Sequence, residues 1–162
     1  YNRRASARGK IARQGVRIHN CKLPRLRKEL IKLPGVGPAT AGAVLAYAFN
    51  KPVPFIETNI RRAYIHAFFQ KRKSVKDKEL FQIIQATLDD KNPREWYWAL
   101  MDYGANLGAT SPNPNRRSRG YRRQPGFKGS RREARGKIVK VLLERSPMRA
   151  ASLVSLPGKN SR

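Results

Sequence analysis

One cysteine, two histidines and ten acidic residues are all that this 162-residue chain offers of several chemistries. The lone thiol, Cys21, excludes an internal disulfide and any cysteine-only metal or iron-sulfur site, which needs several thiolates. It is most simply a structural or exposed thiol, compatible with a reducing compartment. His19 and His66 are too few and too isolated for a metal site. No apolar run approaches the roughly 18 to 20 residues of a membrane-spanning helix, and no lipidation signal is present, so no membrane partner is expected. Convincing strands are also missing. The nearest stretch, Val53-Pro54-Phe55-Ile56, has prolines at 52 and 54 and reads as extended loop. No internal repeat is found; Leu156-Pro157-Gly158 echoes Leu33-Pro34-Gly35 but lacks a second glycine.

Basic charge is what the chain has in excess. Lys and Arg number 36 against 10 Asp and Glu, a formal charge of +26. That is far beyond what solubility requires, and such a field favours a polyanionic partner, nucleic acid first. The length suits a single domain able to bury a real core. The first residue is Tyr1 rather than Met, and the chain is expected to start partway through a domain.

Apolar spacing predicts an all-helical order. Residues 3–19 form a basic helix with a weak stripe of Ile11, Val16 and Ile18. Leu23, Leu26, Leu30 and Ile31 predict a short helix over 24–32, stopped by Leu33-Pro34-Gly35-Val36-Gly37. A buried, small-residue helix follows over 39–49, ending at Asn50 and Pro52. Another spans 59–69. Ser74-Val75-Lys76-Asp77 resembles a capping box before Leu80, Ile83, Ile84 and Leu88. Asn92-Pro93-Arg94-Glu95 opens a helix running from Trp96 to Leu107, aromatic and expected to be core. Residues 108–129 lose periodicity and read as an extended basic loop. Ser130-Arg131-Arg132-Glu133 is a further capping box, opening a helix to about Arg145, and Ser146-Pro147 starts a last short one. The expected organisation is a core over 1–107, a basic loop over 108–129 and a C-terminal helical extension over 130–162.

Two glycines one residue apart, just before a helix, permit a sharp turn whose amides point from the helix's positive end. The amides of Gly35, Val36 and Gly37 can hold a phosphate without reading sequence. Taken alone, the same turn serves equally as a connector with no ligand. The wider stretch Leu33-Pro34-Gly35-Val36-Gly37-Pro38-Ala39-Thr40-Ala41-Gly42-Ala43-Val44, followed by Pro54-Phe55-Ile56-Glu57-Thr58-Asn59-Ile60-Arg61-Arg62, resembles the helix-hairpin-helix DNA glycosylase superfamily. The branch it most resembles is the adenine-specific mismatch glycosylases, and Ala99-Leu100-Met101-Asp102-Tyr103-Gly104-Ala105 resembles a later helix of that branch. The likeness covers roughly residues 1–107. It implies a helix-hairpin-helix glycosylase-like helical domain acting on double-stranded DNA with a mismatched or damaged base, as a monomer. The implied location is the cytoplasm, on the nucleoid in a bacterium.

In that family the hairpin grips DNA phosphate, often with a monovalent cation on its carbonyls. The resemblance therefore assigns Gly35, Val36, Gly37 and Thr40 to DNA and a cation to the backbone of Leu33 and Gly35. A carboxylate follows at the start of the next helix, where this chain has Glu57 in place of the usual Asp. Such a carboxylate stabilises positive charge on the deoxyribose or positions water. A helix-start carboxylate favoured by the helix dipole is the simpler alternative for Glu57. Arg61 and Arg62 are expected near phosphates, one of them as an ordinary exposed charge. Ala39 stands where the bifunctional members carry a lysine nucleophile. An alanine cannot form a Schiff base, so a monofunctional enzyme is implied. Lys51 is near in sequence, but nothing singles it out.

The family's four-cysteine iron-sulfur segment is missing, so no cofactor is expected. In its place are Arg116, Arg117, Arg119, Arg122, Arg123, Lys128, Arg131, Arg132 and Arg135, with Tyr121 and Phe127 among them. Arg116, Arg117, Arg122 and Arg123 are assigned to DNA, either as phosphate contacts or as a solvated arm that orders on binding. Trp96, Tyr97 and Trp98 read as core in preference to a base-stacking platform. The family's proton-donating glutamate lies on a helix upstream of anything matched here, and none of the other acids in this chain has a context suggesting a raised pKa. The expected activity is hydrolysis of the N-glycosidic bond of adenine opposite guanine or 8-oxoguanine. The competing readings are a non-catalytic helix-hairpin-helix DNA-binding module and a basic RNA-binding protein.

Overall fold

The computed structural model describes residues 2–18, 22–123 and 126–145. His19, Cys21, the short helix expected from Ser146 and the Leu156-Pro157-Gly158 echo lie outside the described residues. The chain divides into two compact units, Tyr1–Tyr121 and Arg122–Arg162.

The first unit is helical: α1 (Asn2–Ile18), α2 (Arg27–Leu30), α3 (Pro38–Phe49), α4 (Thr58–Phe68), α5 (Asp77–Thr87) and α6 (Pro93–Thr110), then a 3-10 turn at Pro114–Arg117. Among the described residues there is no strand, and the sole β feature is an isolated parallel bridge between Val75 and Ser118. α2 is shorter than expected because the chain enters it in extended conformation at Leu26. Pro38 occupies the first turn of α3, where its missing N–H costs nothing. Asn50 ends that helix in the left-handed conformation at φ 50°, and its side-chain carbonyl accepts the Arg94 N–H at 3.1 Å. The end of α3 is thereby tied to the start of α6.

α3 faces two apolar clusters. Leu45 and Ala41 pack with Leu30 and Leu33, and α1 reaches this cluster through Ile11. Ala46 joins the larger cluster of Phe55, Ile60, Tyr64, Ile65, Phe69, Val75, Leu80, Ile84 and Tyr97. Gly42 is required there: a Cβ on it would stand 2.5 Å from that of Phe55.

The helix starts differ from the sequence expectation in two places. The capping box of α5 is not Ser74 to Asp77, because Val75 is held in the bridge, its N–H on the Arg117 carbonyl at 2.8 Å and its carbonyl on the Arg119 N–H at 2.9 Å. The helix opens two residues later, where the Glu79 carboxylate accepts the Lys76 N–H at 2.9 Å. At α6 the Asn92 side chain makes no cap; the Asp89 carboxylate accepts the N–H groups of Lys91 and Asn92 at 2.8 and 2.9 Å.

The expected loop over 108–129 is corrected as well. α6 continues to Thr110, and the turn after it packs on α4 with Asn115 and Ser118 buried. The second unit, taken by itself, carries α7 (Arg131–Arg145). Its start follows the expected box in part: the Glu133 N–H donates to Ser130 Oγ at 3.3 Å, while the Glu133 carboxylate takes the Gly129 N–H at 2.6 Å.

Candidate functional site

The hairpin between α2 and α3 forms for local reasons. Gly35 lies at φ 75°, a conformation open to glycine, and a Cβ there would meet that of Ala7 on α1 at 3.0 Å. The Val36 N–H turns inward to the Leu33 carbonyl at 3.1 Å, so one of the three amides expected to face phosphate already has a partner. The first amide returned within α3 is that of Ala41, onto the Gly37 carbonyl at 2.9 Å. The amides of Gly37, Ala39 and Thr40 precede it at the positive end of the helix, and Pro38 has none. Gly35 and Thr40 are exposed. A cation on the Leu33 and Gly35 carbonyls would share the Leu33 oxygen with the Val36 N–H, which leaves that oxygen one lone pair for it.

Glu57 is the N-cap of α4, one residue outside it. Its Oε2 accepts the Asn59 N–H at 2.8 Å, and the residue is half-buried. The cap fixes one carboxylate oxygen; no partner of the other appears among the described residues. Its charge is felt by Tyr47 of α3. Burial first, then the negative charges of Glu57 and Asp102, push the Tyr47 phenol above its ordinary value, and its hydroxyl is buried without a hydrogen-bond partner. The Tyr47 ring stacks on Trp98 with centroids 6.4 Å apart and planes at 15°, and meets Phe55 and Tyr97 edge-on.

The α6 aromatics therefore divide. Tyr97 is core as expected, its hydroxyl donating to the Val53 carbonyl at 3.1 Å. Trp98 is 52% exposed and stacks on Tyr47, which contradicts its core reading. Helical spacing carried the signal: Pro93, Tyr97, Gly104 and Leu107 form the buried stripe of α6, and Trp98 and Asp102, one turn apart, lie off it.

Three of the six arginines expected on DNA are turned to the protein. Arg61 makes a bidentate pair with Asp77 at 3.1 and 2.8 Å. The Arg62 guanidinium donates to Asn59 Oδ1 at 3.0 Å, Asn113 Oδ1 at 3.2 Å and the Gly104 carbonyl. Arg117 closes the C-terminal end of α4, donating to the carbonyls of Ile65 at 3.4 Å, Phe69 at 2.7 Å and Gln70. Arg116 is exposed in the first unit, and Arg122 and Arg123 are exposed in the second. Lys51 is held by its ammonium donating to the Arg25 carbonyl at 2.9 Å.

α6 approaches the first turn of α4 at two glycines. A Cβ on Gly104 would lie 2.2 Å from the Asn59 carbonyl oxygen, and one on Gly108 would lie 2.2 Å from Arg62 Nη1. From the other side, buried Asn115 donates its Nδ2 to the Thr58 carbonyl at 3.0 Å, and the Asn115 N–H donates to Asn113 Oδ1 at 3.1 Å. Sequence reading missed Asn113, Asn115, Gly104 and Gly108 as parts of this site; the asparagines were masked by the polar, proline-rich composition around them. Glu79, Asp89 and Glu133 have carboxyls held below their ordinary values, the first two chiefly by backbone N–H donors and Glu133 chiefly by Lys137, the opposite of what a proton donor needs.

Comparison with known proteins accords with this geometry. A helix-hairpin-helix motif matches residues 18–47. An adenine DNA glycosylase of Mycolicibacterium smegmatis is 29% identical over 157 residues, covering 80% of this chain and 53% of that protein. A thymine/uracil-DNA glycosylase of Methanothermobacter thermautotrophicus is 29% identical, covering 67% of this chain and 50% of its own length. The solved structure of a thermostable thymine-DNA glycosylase superposes with a TM-score of 0.60 at 27% identity, over 70% of this chain and 53% of that one. The chain is thus an all-α, helix-hairpin-helix protein with the fold of a DNA glycosylase. Its homologues are adenine and thymine DNA glycosylases, and it spans about half the length of the curated relatives it matches.

Proposed function

We propose that this chain carries the DNA-gripping hairpin and the reacting carboxylate of a monofunctional base-excision glycosylase, working as a monomer on duplex DNA. The observation that carries the reading is Glu57, capped onto α4 through one oxygen twenty residues after the hairpin glycine Gly37. A rigid carboxylate at that point stabilises the positive charge that develops on deoxyribose as the base leaves. Ala39 and the engaged ammonium of Lys51 offer no amine for a Schiff base, in keeping with hydrolysis and no strand-cleaving lyase step.

The favoured base is adenine opposite guanine or 8-oxoguanine, supported by the relative that covers 80% of this chain. The DNA track of the first unit comprises Gly35, Gly37 and Thr40 with exposed Arg116; in the second unit, taken by itself, exposed Arg122 and Arg123 are phosphate contacts. No iron-sulfur cluster enters this reading, and a monovalent cation at the Leu33 and Gly35 carbonyls is its only bound ion. In this reading the site of action is the cytoplasm or nucleoid, where DNA is met. Among the described residues no helix is long and apolar enough to cross a membrane.

A non-catalytic DNA-binding module is the second reading, favoured by the capping duty of Glu57. Single-turnover base release separates the two, using duplexes with adenine opposite 8-oxoguanine, thymine opposite guanine, and undamaged pairs. Release from the first duplex is the expected result. Release only from the second reassigns the base, and tight, salt-sensitive binding with release from none selects the binding module.

A further inference from the structure

The first turn of α4 is held by a closed circuit of polar groups, of which Glu57 alone belongs to the proposed reaction. It runs from Glu57 Oε2 to the Asn59 N–H at 2.8 Å, and from Asn59 Oδ1 to Arg62 Nη1 at 3.0 Å. Arg62 Nε continues to Asn113 Oδ1 at 3.2 Å, which also accepts the Asn115 N–H at 3.1 Å. Asn115 Nδ2 closes it on the Thr58 carbonyl at 3.0 Å. Every α4 residue in the circuit lies within five positions of the carboxylate.

Asn115 is the telling member. It is 3% exposed, and its Oδ1 is buried with no hydrogen-bond partner. A buried acceptor left unpaired is a standing cost that an apolar residue of similar size would avoid. What the amide supplies in return is one donor, aimed at the carbonyl next to Glu57. The turn that carries Asn115 is anchored independently. Arg117 holds it to the far end of α4, and the Val75 bridge holds it to the segment before α5. The donor is therefore presented from a braced element and not from a free loop.

Resting on the reading of Glu57 as the reacting carboxylate, we propose that Asn115 and Asn113 are positioning residues. They lock the Thr58–Asn59 peptide units and so aim the Glu57 carboxylate, without touching DNA or base. Asn113 acts through Arg62 and Asn115 acts directly on the Thr58 carbonyl. A displacement on the order of 1 Å at a reacting group can cost about a hundredfold in rate, so loosening this turn costs rate while leaving the hairpin's grip unchanged.

The test uses the 162-residue chain with Asn115→Ala, Asn115→Asp and Asn113→Ala, reading three quantities: single-turnover base release, duplex Kd and amide hydrogen exchange at Asn59. Asn115→Asp keeps the shape but sets an acceptor against the Thr58 carbonyl. Expected are a release rate down by about tenfold or more in each, a Kd within about twofold, and Asn59 exchange about five- to tenfold faster. Asn113→Asp keeps both acceptor positions and is expected to recover most of the rate lost in Asn113→Ala. Unchanged Asn59 exchange in Asn115→Ala and Asn113→Ala overturns the proposal whatever the activity. So does a rate loss matched by an equal loss of duplex affinity. If the unsubstituted chain releases no base, the glycosylase reading fails by itself, and faster Asn59 exchange still supports the positioning role.

Discussion

Replacing Gly104 by alanine puts one methyl group where α6 crosses the first turn of α4. The Cβ would lie 2.2 Å from the Asn59 carbonyl oxygen, 2.6 Å from its carbon and 2.9 Å from its Cα, all backbone atoms that no rotamer change can move. Real Cβ contacts essentially never fall below 3.0 Å, so the helices must part. Overpacking of this kind costs about 1–3 kcal/mol, which is roughly 3–10 °C in Tm for a chain of this size. The strain falls two residues from Glu57, so a shift on the order of 1 Å would reach the carboxylate and slow base release by about a hundredfold. Thermal unfolding followed by circular dichroism gives the first number, single-turnover release the second. Gly136→Ala is the control, because nothing lies within 4 Å of its Cβ and α7 carries it in helical conformation. A Gly104→Ala protein with unchanged Tm and unchanged release would refute both the closeness of the α4–α6 crossing and its link to Glu57.

Arg117→Ala is expected to destabilise the chain by about 1–2 kcal/mol, since the carbonyls of Ile65, Phe69 and Gln70 at the C-terminal end of α4 lose the guanidinium donor, and to leave the salt dependence of duplex binding unchanged. Arg116→Ala, by contrast, is expected to flatten the log Kd against log salt plot by about 0.9 with little change in Tm. Gly136→Ala should raise the stability of α7 by about 0.5–1 kcal/mol, read from helicity on heating. The carboxyls of Glu79, Asp89 and Glu133 have folded-state values below their ordinary ones, so the stability they contribute is fully present above the ordinary carboxylate values and is lost as the pH falls through the lower folded ones. Acid titration of Tm checks the sign: Glu79→Gln should shrink the loss between those limits, and a loss appearing on raising the pH instead would be contrary to it.

The helices and the hairpin were legible because each rests on local chemistry. Apolar spacing, Pro38 at a helix start and Gly35 at positive φ are properties of short stretches. What escaped was set by partners distant in sequence. Gly108 read as a helix stop, yet α6 passes through it because a side chain there would meet the Arg62 guanidinium. The segment after α6 read as a basic loop, yet Asn115 finds Thr58 and Arg117 finds the carbonyls at the end of α4, 57 and 48 residues away. Val75, held by the Ser118 bridge, delays the start of α5 past the expected cap. Arginines gave the most misleading signal, because a guanidinium written in sequence looks the same whether it meets phosphate or a buried carbonyl. Arg62 and Arg117 do the latter. Glu57 stood out in sequence by its place after the hairpin, whereas its cap on Asn59 and its electrostatic effect on Tyr47 required the fold.

The most direct test of a reacting carboxylate at Glu57 is base release by Glu57→Gln and Glu57→Asp, measured beside duplex Kd. Glutamine keeps an oxygen for the Asn59 N–H but carries no charge, so the cap survives and the electrostatic stabilisation does not. The expected result is a release rate lower by about 10²- to 10³-fold in Glu57→Gln at unchanged Kd, with a smaller loss, up to about a hundredfold, in Glu57→Asp, which keeps the charge but draws it back by one methylene. Equal release by Glu57→Gln and the unsubstituted chain would contradict it and reduce Glu57 to a helix cap.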